Sequence, residues 1–216
     1  MAGRGAAVAA MAVLIASASP TVAEQGDTEI GFRLLGIAAS AKTDAEIADT
    51  GSTPELSSNI GAEASWTVWP LDWLAVELSL GVSAHPLTAS GGELSAADGG
   101  TLWRLPVSAV AQYRIPVYGP FDPYVGLGLS FNVAKLRPST AYDERFSNIG
   151  FSDDVGIVVQ AGVDYLLDER WSANLDLRYM AMRTDAVFTD RSSGATSEVG
   201  FALDPWVIGL GFRYRY

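Results

Sequence analysis

The stretch Asp154-Val155-Gly156-Ile157-Val158-Val159-Gln160-Ala161-Gly162-Val163-Asp164-Tyr165 decides the fold. Val155, Ile157, Val159, Ala161, Val163 and Tyr165 share one parity, while Asp154, Gly156, Gln160, Gly162 and Asp164 share the other. A period of two belongs to a strand with unlike faces and cannot be a helix. From Leu56 to the carboxyl terminus the same alternation returns in segments of roughly ten residues, divided by turn-forming stretches. The parity that is small, polar or charged is expected to face inward and the apolar parity to face lipid, the inverse of a soluble barrel with a greasy core.

Reading outward from that strand, the chain divides into about eight such segments. The first, from about Glu29 to Ala39, sets Phe32 and Leu34 against Arg33, Leu35 and Ile37. Leu56 to Trp69 places Trp66 outward and Glu63 inward, and Pro70-Leu71-Asp72 turns the chain. Trp73 to Ala84, Leu102 to Ile115 and Pro123 to Lys135 follow, the last with Gly126 and Gly128 inward, where glycine leaves room. After the strand at Val155 come one starting at Trp171 and a last one from Trp206 to Tyr216. The predicted fold is all-β, an eight-stranded antiparallel transmembrane β-barrel of outer-membrane type, forming one domain over residues 24–216.

Short turns alternate with longer connections, expected as loops at about 40–55, 85–101, 136–152 and 183–202, and outer-membrane barrels keep the short ones in the periplasm. Trp66, Trp69, Trp73, Tyr113, Tyr165, Trp171, Tyr214 and Tyr216 gather beside the short turns as one expected aromatic girdle. At the amino terminus Arg4 precedes an apolar run from Ala6 to Ala16, and Thr21-Val22-Ala23 is a plausible cleavage point, so residues 1–23 read as a secretory signal. That run is too short to span a membrane as a helix. Without the signal the net charge of −11 becomes −12, which disfavours nucleic acid as a partner. A mean hydropathy of +0.18 is low for a helical membrane bundle and ordinary for strands wet on one face. No cysteine is present, so no thiol chemistry or disulfide is available. A soluble lipocalin-like barrel would have to enclose Trp66, Phe131, Tyr165, Trp171, Trp206 and Phe212 and leave the glycines and charges outside.

Leu105-Pro106-Val107, Pro123-Tyr124-Val125-Gly126-Leu127-Gly128, Ala161-Gly162-Val163-Asp164-Tyr165 and Asp204-Pro205-Trp206-Val207 resemble, in order and spacing, the outer-membrane protein W (OmpW) family. The resemblance extends over most of the mature chain and is strongest from Leu105 onward, while the first strand and the four long loops are too divergent to compare. It implies an eight-stranded barrel with a narrow, partly hydrophobic interior that passes small hydrophobic molecules inward by a lateral exit through the wall. The terminal aromatic residue resembles the signal read by the barrel assembly machinery of Gram-negative-type envelopes. The expected partners are therefore that machinery, outer-membrane lipids and lipopolysaccharide, and a small hydrophobic ligand.

A barrel of eight strands encloses only its own side chains or one small ligand, so an open aqueous pore is not expected. On the inward parity near the short turns stand Arg33, Glu77, Gln112, Arg114, Gln160, Asp164, Asn174, Asp176, Arg178 and Arg213, opposite charges able to pair across the lumen as a polar plug. Toward the other end that parity turns apolar at Ile37, Val158, Met180, Met182 and Val207, a candidate chamber. Either group can instead simply fill space, as in a barrel that only anchors and displays its loops. Pro106 and Pro205 stand on the inward parity within strand patterns and cannot donate to the ladder. They mark either a lateral gate or positions near the outer rim, where water satisfies the lost bond.

The only histidine, His85, lies where the third strand meets its loop, two residues after Ser83. An enzyme acting on lipid would place its triad on the outer face, so His85 is expected to be a loop residue and the protein not an enzyme. Asp143-Glu144 and Asp153-Asp154 lack the spacing of a dedicated metal site and read as solvated charge. No cofactor motif is present.

Overall fold

The computed structural model describes residues 23–38, 41–42, 53–56, 58–90, 98–194 and 196–216. Residues 1–22, which hold nearly all of the expected signal, lie outside the described residues. The alternating segments become β1 (Thr28–Ala38), β2 (Ala41–Lys42), β3 (Thr53–Leu56), β4 (Asn59–Leu71), β5 (Leu74–Ser90) and β6 (Asp98–Arg114). After β7 (Phe121–Pro138) comes a one-and-a-half-turn helix, α1 (Thr140–Arg145), then β8 (Phe146–Phe151), β9 (Asp154–Leu166), β10 (Trp171–Asp190), β11 (Thr196–Leu203) and β12 (Trp206–Arg215).

Eight of these strands form the barrel: β1, β4, β5, β6, β7, β9, β10 and β12, each antiparallel to its neighbour, with β12 closing onto β1 from Glu29–Arg215 to Ala38–Trp206. Closure leaves no open edge, the condition for a sheet in hydrocarbon. Outward side chains are exposed although apolar, as at Leu34 (65%), Leu127 (63%) and Leu210 (66%), while Arg33, Glu77 and Arg178 are each 1% exposed. The molecule is inside-out, as the alternation requires.

The other four strands lengthen the wall beyond the barrel: β2 pairs with β11, β11 and β8 pair with β10, and β3 pairs with β5. This corrects the expected loops at 85–101, 136–152 and 183–202, because β5 runs on to Ser90, β6 begins at Asp98, β7 reaches Pro138 and β10 reaches Asp190. The apolar alternation ends where lipid ends, but backbone groups still need partners and the ladder carries on past that level. Phe146 and Phe188, both buried with ring centroids 5.5 Å apart, pack this extension.

The girdle beside the short turns is built from ring pairs, Trp73–Tyr113, Phe121–Tyr165 and Trp171–Tyr214. Trp69 does not belong to it. It lies on the odd, inward parity of β4, 1% exposed, against Ala23 and Ala75, with the Arg114 guanidinium 4.6 Å over its ring. A sparser set stands at the other end, with Tyr179 beside Trp206 at 5.2 Å and Trp103 paired across the ladder with Lys135 and covered by Arg137. Aromatic rings beside cations are what a membrane–water boundary selects.

Candidate functional site

The residues expected as a plug meet in one connected network low in the lumen. Glu77 of β5 is its centre, receiving Arg33 of β1 at 2.7 Å, Arg178 of β10 at 2.9 Å and Arg213 of β12 at 2.8 Å. Gln160 donates to Asp176 at 2.6 Å and accepts from Gln112, which in turn accepts from Arg114 at 2.8 Å. Arg114 also reaches Asp164 at 2.6 Å, and Asn174 donates to the other oxygen of that carboxylate. Every expected plug residue is buried and joined.

Glu63, Asp122 and Tyr124 join the network as well, although the sequence reading does not assign them to the plug. Glu63 holds Arg33 and Arg178 at 2.8 and 2.6 Å, and Asp122 holds Arg114 at 3.0 Å. The Tyr124 hydroxyl donates to Asp176 at 2.8 Å and accepts from Asn174 and Arg213. Glu63 and Tyr124 announced themselves only by parity; what singles them out is the side chains opposite. Glycine makes the space: a Cβ on Gly162 would collide with the Tyr124 ring, and one on Gly211 with the Arg33 side chain and the β1 backbone. Four buried guanidiniums share these carboxylates, so removing one partner strands the others.

Above this floor is a small cavity of about 30 Å³, room for roughly one water-sized group. Of the expected chamber residues, Ile37, Met180, Met182 and Val207 line it; Val158 lies behind them, packed with Val110. The lining is not uniformly apolar, since Glu63, Ser83, His85, Arg104, Asn132 and Arg178 also face it. His85 is no loop residue: β5 carries it opposite Leu102, 3% exposed, with Nε2 3.1 Å from Ser83 Oγ. Asp154 is likewise not solvated, because the inward parity of β9 starts with it and leaves it 7% exposed. Asp143, Glu144 and Asp153 are exposed as expected. Among the described residues no group of three metal-ligating side chains gathers.

Both candidate gate prolines line the same cavity, and each interrupts a ladder that keeps its register. Between β5 and β6 the pairing runs to Leu80–Val107 and resumes at Ser83–Arg104, leaving out Pro106 with its facing Gly81 and Leu105 with its facing Val82. On the other side Pro106 pairs normally with Asn132 of β7. Pro205 separates β11 from β12, both of which pair with β10; its carbonyl accepts from Met180 N at 3.2 Å, but it returns no donor. Gly81 lets the chains approach, since a Cβ there would come within 2.9 Å of the Pro106 ring.

A closed eight-stranded wall with its apolar parity outward, an aromatic girdle and a connected polar network inside defines a small outer-membrane β-barrel. Within that class the chain belongs to the OmpW family, whose model matches residues 24–216. It is 28% identical to outer membrane protein W of Vibrio cholerae, over 97% of this chain and 98% of that one. It is 29% identical to outer membrane protein W of Escherichia coli, over 74% and 75% of the two chains. Among solved structures it resembles OprG from Pseudomonas aeruginosa, with a TM-score of 0.79 at 24% identity over 93% of this chain and 99% of that one. AlkL in lipid bilayers matches with a TM-score of 0.65 at 20% identity over 92% and 94%. The protein is located in the outer membrane.

Proposed function

We propose that this barrel passively admits small hydrophobic molecules through its outer end, holds them in the chamber above the floor and releases them sideways into the membrane, without catalysis. The carrying observation is the coincidence, in one cavity, of a base filled by the charged network with both ladder interruptions. A molecule that cannot continue past the Glu77 network has the wall as its way out. Trp103 and Lys135 mark the outer boundary on β6 and β7, and Pro106 stands three residues further in. At a rise of about 3.3 Å per residue and a tilt of about 45°, that is about 7 Å inside the boundary, where lipid rather than water meets the gap. The small free volume requires Met180 and Met182 to swing aside, a motion their unbranched side chains permit. On this reading residues 1–23 direct export, the assembly machinery inserts the barrel, and lipopolysaccharide surrounds its outer end.

Entry of a hydrophobic reporter into cells with and without the protein, beside a small hydrophilic solute at matched expression, tests this. Faster entry of the hydrophobic probe alone is expected, and it should fall when Pro106→Ala and Pro205→Ala are combined. If neither solute moves faster, the ordered outer extension of the wall is a display platform and the barrel an anchor.

A further inference from the structure

Arg104 projects from β6 into the chamber, 8% exposed. Its guanidinium carries five N–H donors and a permanent charge. Yet among the described residues Arg104 Nη2 finds only Met182 Sδ at 3.7 Å and Asp154 Oδ2 at 3.8 Å, a weak acceptor and a distant one. Each floor arginine differs: Arg33, Arg114, Arg178 and Arg213 all have a carboxylate oxygen between 2.6 and 2.8 Å away. A buried guanidinium without a close anion is costly, and a planar carboxylate is the group that matches its fork.

The cavity beside Arg104 has room for one water-sized group, and it takes a carboxylate once the Met182 side chain swings aside. Ser83 and Asn132 border it, with Asn132 Nδ2 donating to the same Met182 sulfur at 2.8 Å and so released when that sulfur moves, whereas Glu63, the carboxylate in its lining, is already held by Arg33 and Arg178. On the same cavity stand Ile37, Val207 and the two methionines, an apolar surface for a tail. We infer that the chamber selects apolar molecules ending in a single carboxylate, such as short-chain or aromatic monocarboxylic acids, and that Arg104 is the specificity-determining residue. The head group takes the Arg104 fork in place of the Met182 sulfur, and the tail lies against the displaced methionines. This deepens the uptake reading and rests on it.

Calorimetric titration of hexanoate and of 1-hexanol into the protein in lipid nanodiscs, with empty nanodiscs subtracted, tests the assignment. Hexanoate should bind at least about 10-fold more tightly than hexanol, as a charge-assisted bidentate contact warrants. Arg104→Gln should abolish that preference and leave hexanol unchanged. Equal affinities in the unmodified protein, or a variant that weakens both ligands alike, overturn it. If Arg104→Gln does not fold, the comparison of the two ligands on the unmodified protein decides, because an arginine with a merely structural role confers no preference for the acid. Reporter uptake is read separately: a preference for hexanoate without uptake overturns the wall exit alone, and uptake without that preference overturns the head-group site alone.

Discussion

The Glu77 carboxylate lies 2.7 Å from the Arg33 guanidinium, reaching past β4, which separates their strands, and the same carboxylate also gathers Arg178 and Arg213. One anion thus holds together three cations from β1, β10 and β12. Glu77→Gln keeps the shape and removes the charge, so the three guanidiniums repel across a narrow lumen. Because Glu63, Asp164 and Asp176 still bind some of them, the expected loss is about 3 kcal/mol, at the lower end for a broken buried pair. Urea unfolding in lipid vesicles measures it; a change under about 1 kcal/mol would show that this carboxylate does not organise the floor.

Tyr124 is tied to Asp176, Asn174 and Arg213 through one hydroxyl. Tyr124→Phe keeps the ring over which Arg114 sits at 4.5 Å and leaves buried partners unsatisfied. A loss of about 2 kcal/mol follows from the cost of stranding charged hydrogen-bonding groups. Gly162→Ala should reproduce part of it by pushing the ring aside, and the two changes combined should cost less than their sum.

Pro106→Ala restores an N–H facing Gly81. The missing rungs between Leu80–Val107 and Ser83–Arg104 then close without a register change. Amide exchange at Gly81 should slow by at least about tenfold, and uptake should fall when Pro205→Ala is added. Unchanged exchange would mean that the wall is already shut at this seam.

Two aspartates outside the membrane-spanning wall give the protein a predictable acid limit. Asp168, in the β9–β10 turn, accepts from Arg170 N and Trp171 N at 2.8 Å each, and these amides hold its carboxyl below the usual range. Asp190, at the tip between β10 and β11, is held lower still by the Ser192 hydroxyl and the amides of Ser193 and Ser192. A depressed carboxyl stabilises the fold fully above its unfolded value, about 3.9, and loses that contribution as pH falls through the folded value. Their carboxyl carbons should therefore titrate with midpoints below 3.9 in NMR, and neither turn should respond between about pH 5 and 8. A midpoint at or above 3.9 for either residue contradicts its turn geometry.

The alternation at Asp154–Tyr165, repeated along the chain, was sufficient for the barrel, the face of each residue and the collection of charge inside, because parity in a strand is a covalent property of the backbone. It correctly faced Pro106, Met180 and Arg33 inward for the same reason. Parity also contained the correction at Trp69, which two residues after Thr67 has to turn inward. Loop boundaries were not legible, since lipid contact writes the alternation and backbone pairing outlasts it from Leu87 to Ser90.

What only the tertiary structure decided is which inward residues meet. The strand tilt and register bring Glu77, Arg33, Arg178 and Arg213, far apart in the chain, to one level, and set Pro106 and Pro205 on one cavity. Register is a property of pairs of strands, so no single strand states it. The same pairing leaves Arg104 beside a sulfur and a distant carboxylate, when its sequence neighbours marked it only as one more inward arginine.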